Sequence, residues 1–179
     1  SMMSGLRMEI IDRRDALQAL IEPWNALVRE DSRAPLGMDV TATIEWHCAL
    51  LDAFLPEAGS WQILVARDDR GIAGILPFYW TDAAQGPGRA REIALLTELF
   101  GGRNGFLVRD GEAAVLQRML ACLRDEVDGW DSLRLHVTDA SRSQRMLHSA
   151  LRETRCTSAV VSEEVSPILE MPAEFDAYI

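Results

Sequence analysis

The chain of 179 residues contains no lysine, so all 18 of its basic side chains are arginines. This absence excludes a Schiff-base lysine and the lysine of a P-loop. Acidic residues number 28, which leaves a formal net charge of −10. Because nucleic-acid phosphates and anionic lipid surfaces are bound by basic faces, this charge argues against both as partners.

Cysteine and histidine are equally scarce, with three of each. The cysteines (Cys48, Cys122 and Cys156) are odd in number and scattered, which predicts a reducing, cytoplasmic location without a disulfide framework. No histidine or cysteine pair has the spacing of metal ligands, so no metal site is predicted. No apolar run has transmembrane length and no signal peptide is visible. Residues 1–2 are interpreted as a cleavage scar, and residues 3–179 as one domain.

Hydrophobic periodicity predicts helices that alternate with strands in the second half of the chain, after a hairpin in the first half. The expected helices cover residues 13–30 (kinked or split by Pro23), 44–55 (capped by Thr43), 112–127 and 141–155. The expected strands cover residues 6–11, 61–66, 72–79, 92–100, 133–137, 156–161 and 168–171. This order predicts an α/β (α+β) fold with a mixed, mostly antiparallel sheet and helices on both of its faces.

The loop sequence QGPGRA, residues 85–90, fits the pattern Q/R-x-x-G-x-G/A of a pyrophosphate cradle. Its glycines would let backbone N–H groups approach the pyrophosphate of coenzyme A at a helix N-terminus. Gln85, Gly88, Arg89 and Ala90 are therefore candidate donor-binding residues. This hypothesis needs a helix directly after the loop, whereas the alternative is an ordinary surface loop that leads into a strand.

Two side chains are candidates for a general base, His136 on the polar face of its predicted strand and Glu98. Three aromatic residues, Trp46, Tyr79 and Trp80, are candidates for an aromatic wall that binds substrate, with core packing as the alternative.

Several phrases occur in a characteristic order: "IEPWNALV", "TIEWHCALLDAF", "WQILVARDDRGIAGILPFY", "LTELFGG", "WDSLRLHV" and "PAEFDAYI". Together they resemble the N-terminal, GNAT-like half of the bacterial FemAB-like and CelD-like acyltransferases. The resemblance covers roughly residues 8–179.

The resemblance implies two GNAT-like domains that transfer an acyl group from acetyl-coenzyme A or another acyl-coenzyme A to an amine or hydroxyl. The acceptor would be a small molecule or a glycan, in cell-envelope or polysaccharide metabolism. The donor-binding and catalytic features of that family lie mostly in the second domain, and this sequence stops where that domain would follow. A second domain or a homodimer partner is therefore expected, and whether this chain is itself catalytic stays open. The alternatives are a non-catalytic assembly module of a larger acyltransferase and a small stand-alone GNAT N-acetyltransferase that uses the loop at 85–90.

Overall fold

A computed structural model of the chain describes residues 5–31, 39–57, 59–81, 91–100, 105–109, 112–136 and 146–159. The strands in these ranges are β1 (Arg7–Ile11), β2 (Trp61–Asp68), β3 (Gly71–Trp80), β4 (Glu92–Leu95), β5 (Leu107–Val108) and β6 (Ser132–Arg134). The α-helices are α1 (Ile21–Asp31), α2 (Ile44–Phe54), α3 (Ala113–Glu126) and α4 (Leu147–Glu153). Short 3-10 helices cover Arg14–Leu20, Val40–Ala42 and Leu96–Leu99.

The strands form one mixed sheet in the order β1-β2-β3-β4-β6, with β5 paired to β3. Among the described strands the pairings are antiparallel except that between β4 and β6, which is parallel. The predicted hairpin is confirmed, because β2 and β3 pair from Trp61 opposite Tyr79 to Asp68 opposite Gly71. The predicted fold class is therefore confirmed.

Apolar side chains of the central strands point alternately to the two faces of the sheet, so one hydrophobic core forms on each face. Ile63, Val65 and Ile75 belong to the core beneath α1 and α2. Leu64 and Phe78 belong to the opposite core, which α3 and α4 cover. Both faces of the sheet are thus buried under a pair of helices.

The helix predicted over residues 13–30 is split, as its internal proline suggested. A 3-10 helix ends at Leu20 and α1 begins at Ile21, so Pro23 lies in the first turn, where a missing N–H costs little. Thr43 caps α2 as predicted, since its hydroxyl accepts a hydrogen bond from the Trp46 N–H at 3.4 Å.

The strand predicted over residues 92–100 is wrong beyond Leu95, where the chain turns into a 3-10 helix. Among the described residues the next segment paired with β3 is β5, so β3 pairs with two separate strands, β4 and β5, with an interruption between them. Proline lacks an N–H and is rare inside a sheet, so Pro77 favours a bend or an edge position in its strand; it lies in the central strand β3. On the side of β3 that pairs with β4 and β5, this proline lies between the two paired segments. Its missing N–H therefore does not break a continuous ladder of hydrogen bonds.

The helix predicted over residues 112–127 is confirmed by α3, and α4 confirms the described part of the helix predicted over 141–155. The strand predicted over 133–137 is shorter and begins earlier, as β6. Residues 156–159 are not in a strand, so that part of the strand predicted over 156–161 is wrong. The prediction for residues 168–171 lies outside the described residues. Within the described ranges, none of the helices has the length and apolar character that a membrane crossing requires.

Candidate functional site

The parallel pair β4 and β6 ends beside two charged side chains. Ile93 lies opposite Leu133 in this pair, and Ala94 lies opposite Arg134. Ligands of α/β proteins commonly bind where parallel strands end at their carboxyl side. Beyond these ends lie Glu98 and His136, the two residues that the sequence suggested separately as general bases. The fold brings them to the same place.

Arg134 connects the acidic groups of this region. Its Nε lies 3.0 Å from an oxygen of Glu98, and its Nη2 lies 3.5 Å from an oxygen of Glu92. The side chain of Glu98 is only 13% exposed, whereas that of Arg134 is 46% exposed. The Arg134 side chain therefore extends from the nearly buried Glu98 carboxylate to the solvent.

Glu98 has the electrostatic character of a proton acceptor at this position. Burial raises its pKa, while the charges of Arg134 and His136 and a hydrogen bond from the His136 backbone N–H partly oppose that shift. One carboxylate oxygen, Oε1, is buried and has no hydrogen-bond partner among the described residues. A carboxylate with a raised pKa and an unpaired oxygen is suited to accept a proton from a substrate.

Tyr79 joins the cluster through the register of the sheet. It lies opposite Ala94 on β4, and Ala94 lies opposite Arg134 on β6, so the three side chains share one face. Burial raises the pKa of the Tyr79 hydroxyl, and the charge and hydrogen bond of Arg134 partly oppose this shift. The tyrosine is therefore protonated at neutral pH.

The other two predicted substrate-binding residues lie apart from each other. Trp46, on α2, faces the same side of the sheet as Tyr79, and its ring centroid lies 6.3 Å from that of Phe100. Trp80 packs on the opposite face, where its indole N–H donates to the Gly129 carbonyl at 2.9 Å. This bond gives Trp80 a structural role away from the Glu98 cluster.

The predicted pyrophosphate loop is not followed by the helix that this hypothesis needs. Gln85, Gly88, Arg89 and Ala90 lie outside the described residues, but the next described element is the strand β4 and not a helix. The hypothesis required a helix N-terminus directly after the loop, and residues 92–95 form a strand.

A strand leads into a helix instead between β5 and α3. Arg109 follows β5 and holds Asp68 of the hairpin through two hydrogen bonds, at 2.7 and 3.0 Å. The guanidinium lowers the pKa of Asp68 to about 2. Glu112, at the start of α3, pairs with Arg70, and its side chain does not cap the helix. The ion pairs thus fix the beginning of α3 against the hairpin turn.

This junction was missed at the sequence level, although a signal was present. Gly111 and Ala113 have the spacing of the G-x-A part of the cradle pattern, directly before a strongly periodic helix. The first position of the pattern is occupied by Val108 and not by glutamine or arginine, so a search for the full pattern passes over it.

Comparison with solved structures shows which proteins share this fold. The crystal structure of the aminoglycoside acetyltransferase meta-AAC0020, from an uncultured soil metagenomic sample and in complex with trehalose, has a TM-score of 0.57 and 12% sequence identity. The match covers 95% of this chain and all of that one. The same protein in complex with sisomicin matches equally well, at 13% identity.

A ribosomal-protein-alanine N-acetyltransferase from Brucella melitensis biovar Abortus 2308 has a TM-score of 0.50 and 16% identity, over 92% of this chain and all of that one. The fold is that of GNAT acetyltransferases. No family model matches the chain, and no curated protein matches it in sequence. Within the described residues, no group of three or more histidine, cysteine or acidic side chains is placed to hold a metal ion.

Proposed function

We propose that this chain is an acyltransferase that moves an acyl group from an acyl-coenzyme A thioester to an amine or hydroxyl. The observation that carries the proposal is the cluster of Glu98, Arg134, His136 and Tyr79 at the ends of the parallel strands of a GNAT fold. Acetyl transfer by the structural neighbours supports the reaction class.

The cluster can supply the proton transfers of such a reaction. The acceptor nitrogen or oxygen attacks the thioester carbonyl carbon while Glu98 accepts its proton. The tetrahedral intermediate then collapses with cleavage of the carbon–sulfur bond. Tyr79, which is protonated, can donate a proton to the departing thiolate. The products are an amide or ester and free coenzyme A. Arg134 holds the Glu98 carboxylate in position for this step.

The donor pyrophosphate is best accommodated at the amino terminus of α3. This helix has 14 residues, the side chain of its N-cap residue Glu112 makes no capping hydrogen bond to the helix, and a glycine precedes that residue. Free N–H groups and the positive end of the helix dipole favour phosphate there. The arginines next to this junction are paired with acidic groups, so the backbone rather than a free cation would supply the binding.

The finer predictions from the resemblance remain proposals. Membership in the FemAB-like and CelD-like group, a role in cell-envelope or polysaccharide metabolism and a second domain or homodimer partner rest on the ordered sequence phrases. A cytoplasmic location is supported by the free thiols of Cys48, Cys122 and Cys156.

The role of Glu98 is tested by Glu98→Gln in a thiol-release assay with acetyl-coenzyme A and a panel of amines. Loss of the proton acceptor is expected to lower kcat by about 10² to 10⁴. In the wild type, kcat should rise with pH through the raised pKa of Glu98, and the variant should lose this rise.

Glu92→Gln is a matched control, because it removes another carboxylate that contacts Arg134. It should change kcat only a few-fold. Equal losses in the two variants would assign the cluster a structural role. A large loss in His136→Asn, with Glu98→Gln near wild type, would assign the base to the histidine.

A further inference from the structure

A groove runs along the side of α3 that faces away from the sheet. One wall is a single stripe of α3 with helical spacing, made of Ala114, Gln117, Arg118, Ala121 and Arg124. The other wall is the end of α4, at residues 153–155. The volume of the groove is about 410 Å³, which is within the range of small-molecule sites. We name it the arginine groove, because three of its described lining residues are arginines.

The arginine groove is separate from the Glu98 cluster. The buried side of α3, which includes Met119 and Leu120, packs on one face of the sheet, and Tyr79 belongs to the core on the other face. The groove therefore lies behind α3, on the far side of the sheet from Tyr79.

Arg124 fixes the two walls of the groove to each other. Its Nη1 donates to the carbonyl oxygen of Thr154 at 2.6 Å, and its Nε and Nη2 donate to the Asp125 carboxylate at 2.6 and 2.7 Å. This guanidinium complements the negative carboxyl end of α4, and Asp125 neutralises its charge. Arg124 therefore holds α4 against α3 and leaves no charge for a ligand.

The other two guanidiniums of the groove have no such partner. Arg118 and Arg155 are exposed, and neither side chain forms an ion pair or hydrogen bond with a described residue. Arg118 lies in the middle of α3, so the charge at a helix end does not explain its position. Glu153 is the acidic side chain among the described lining residues. Two unpaired cations thus face one carboxylate, in a chain whose net charge of −10 otherwise repels anions.

The backbone of Arg155 gives a second, independent observation. Its φ is +57°, and among the described residues it is the one non-glycine residue with a positive φ. It directly follows Thr154, the C-cap of α4, where glycine is the usual residue because glycine adopts this conformation without strain. Arginine here strains the backbone and adds a cation to the groove. Strain of this kind concentrates at functional sites.

We propose that the arginine groove binds a phosphate group through Arg118 and Arg155. The planar guanidinium matches two phosphate oxygens at once, and two guanidiniums match the two negative charges of a phosphate monoester. The groove is larger than a phosphate, and Ala114 and Ala121 offer apolar surface to a small organic body. The bound group would link α3 to the end of α4. This inference does not depend on the proposed acyl transfer.

Calorimetric titration of the whole chain with phenyl phosphate, at constant ionic strength, tests the proposal. We expect saturable binding of one molecule per chain, whereas phenol, which lacks the phosphate, should not bind. Inorganic phosphate, titrated in parallel, distinguishes a free anion from an ester as the source of the group. Arg118→Gln and Arg155→Gly should each weaken the affinity for phenyl phosphate at least about tenfold, the effect of losing one charged hydrogen bond.

Two controls separate ligand contact from folding and from overall charge. Arg155→Gly relieves the positive φ, so its Tm without ligand should not fall although its affinity does. Arg152→Gln removes an exposed arginine of α4 that does not line the groove, and it should leave the affinity unchanged.

Absence of saturable binding at millimolar phenyl phosphate, or wild-type affinity in both Arg118→Gln and Arg155→Gly, would overturn the inference. An equal loss of affinity in Arg152→Gln would do the same, because it would mean diffuse attraction of anions. Displacement of phenyl phosphate by coenzyme A would also overturn it, because the groove would then belong to the donor site.

Discussion

The stability of this chain should depend on a buried histidine of α2. His47 is 2% exposed, and its Nδ1 lies 2.8 Å from the carbonyl oxygen of Thr43, so this nitrogen carries the ring proton. The other nitrogen, Nε2, is buried without a partner among the described residues, and the ring of Trp24 lies 4.9 Å away between centroids. Protonation of Nε2 would place an unpaired charge in the core.

Burial therefore lowers the pKa of His47 from 6.5 to about 4, although the Thr43 carbonyl and the charge of Asp39 partly oppose the shift. Because the folded-state pKa is below the unfolded one, the unfolded chain binds more protons between pH 6.5 and 4. Stability is then fully present above pH 6.5 and falls as the pH decreases toward 4. The linkage relation gives a loss of unfolding free energy of about 2 kcal/mol at pH 5 and about 3 kcal/mol at pH 4.

Urea denaturation at pH 7.5 and at pH 5.0 measures this loss in the wild type and in His47→Asn. The asparagine amide can still donate to Thr43 but does not titrate, and all other titrating groups are shared by the two proteins. The wild type should lose about 2 kcal/mol more than the variant on acidification. His148→Asn, which changes an exposed histidine, should behave as the wild type does. Equal losses in the wild type and in His47→Asn would refute the reasoning.

Three further substitutions test the packing that positions the site. Gly74→Ala places a new carbon 2.5 Å from a methionine sulfur of α3 and should lower the unfolding free energy by about 1–3 kcal/mol in urea titrations. Arg109→Met leaves the Asp68 carboxylate without the Arg109 guanidinium and should lower the unfolding free energy by about 1.5–3 kcal/mol, whereas Arg13→Met, which breaks an exposed pair, should leave the unfolding free energy nearly unchanged. Trp80→Phe removes a hydrogen bond on the face away from the cluster, so thermal stability should decrease while kcat in the thiol-release assay stays unchanged.

Much of the fold follows from local patterns that the sequence displays. The alternation from Trp61 to Tyr79 and the apolar stripe of α3 predict their elements almost to the residue, because each pattern repeats over many positions. The interruption between β4 and β5 was missed, since β5 has only two residues and its pairing to Gly74 and Ile75 is a long-range property. Pairing of β4 with neighbours on both sides also explains why the segment after the glycine-rich loop is a strand and not a helix.

Individual residues of the site could be predicted from the sequence, but the sequence did not show that they lie together. Glu98 and His136 stood out as titratable groups, yet nothing local relates them. Their meeting depends on the parallel register that places Arg134 opposite Ala94. Tyr79 joins them because the pairing of β3 with β4 places it opposite Ala94.

Calorimetric titration of the whole chain with acetyl-coenzyme A tests the central claim most directly. Acyl transfer from this donor predicts saturable binding of one molecule per chain, with a Kd between about 1 μM and 1 mM, and competition by free coenzyme A. The absence of measurable heat at millimolar donor would contradict the account and would favour a non-catalytic module of a larger acyltransferase.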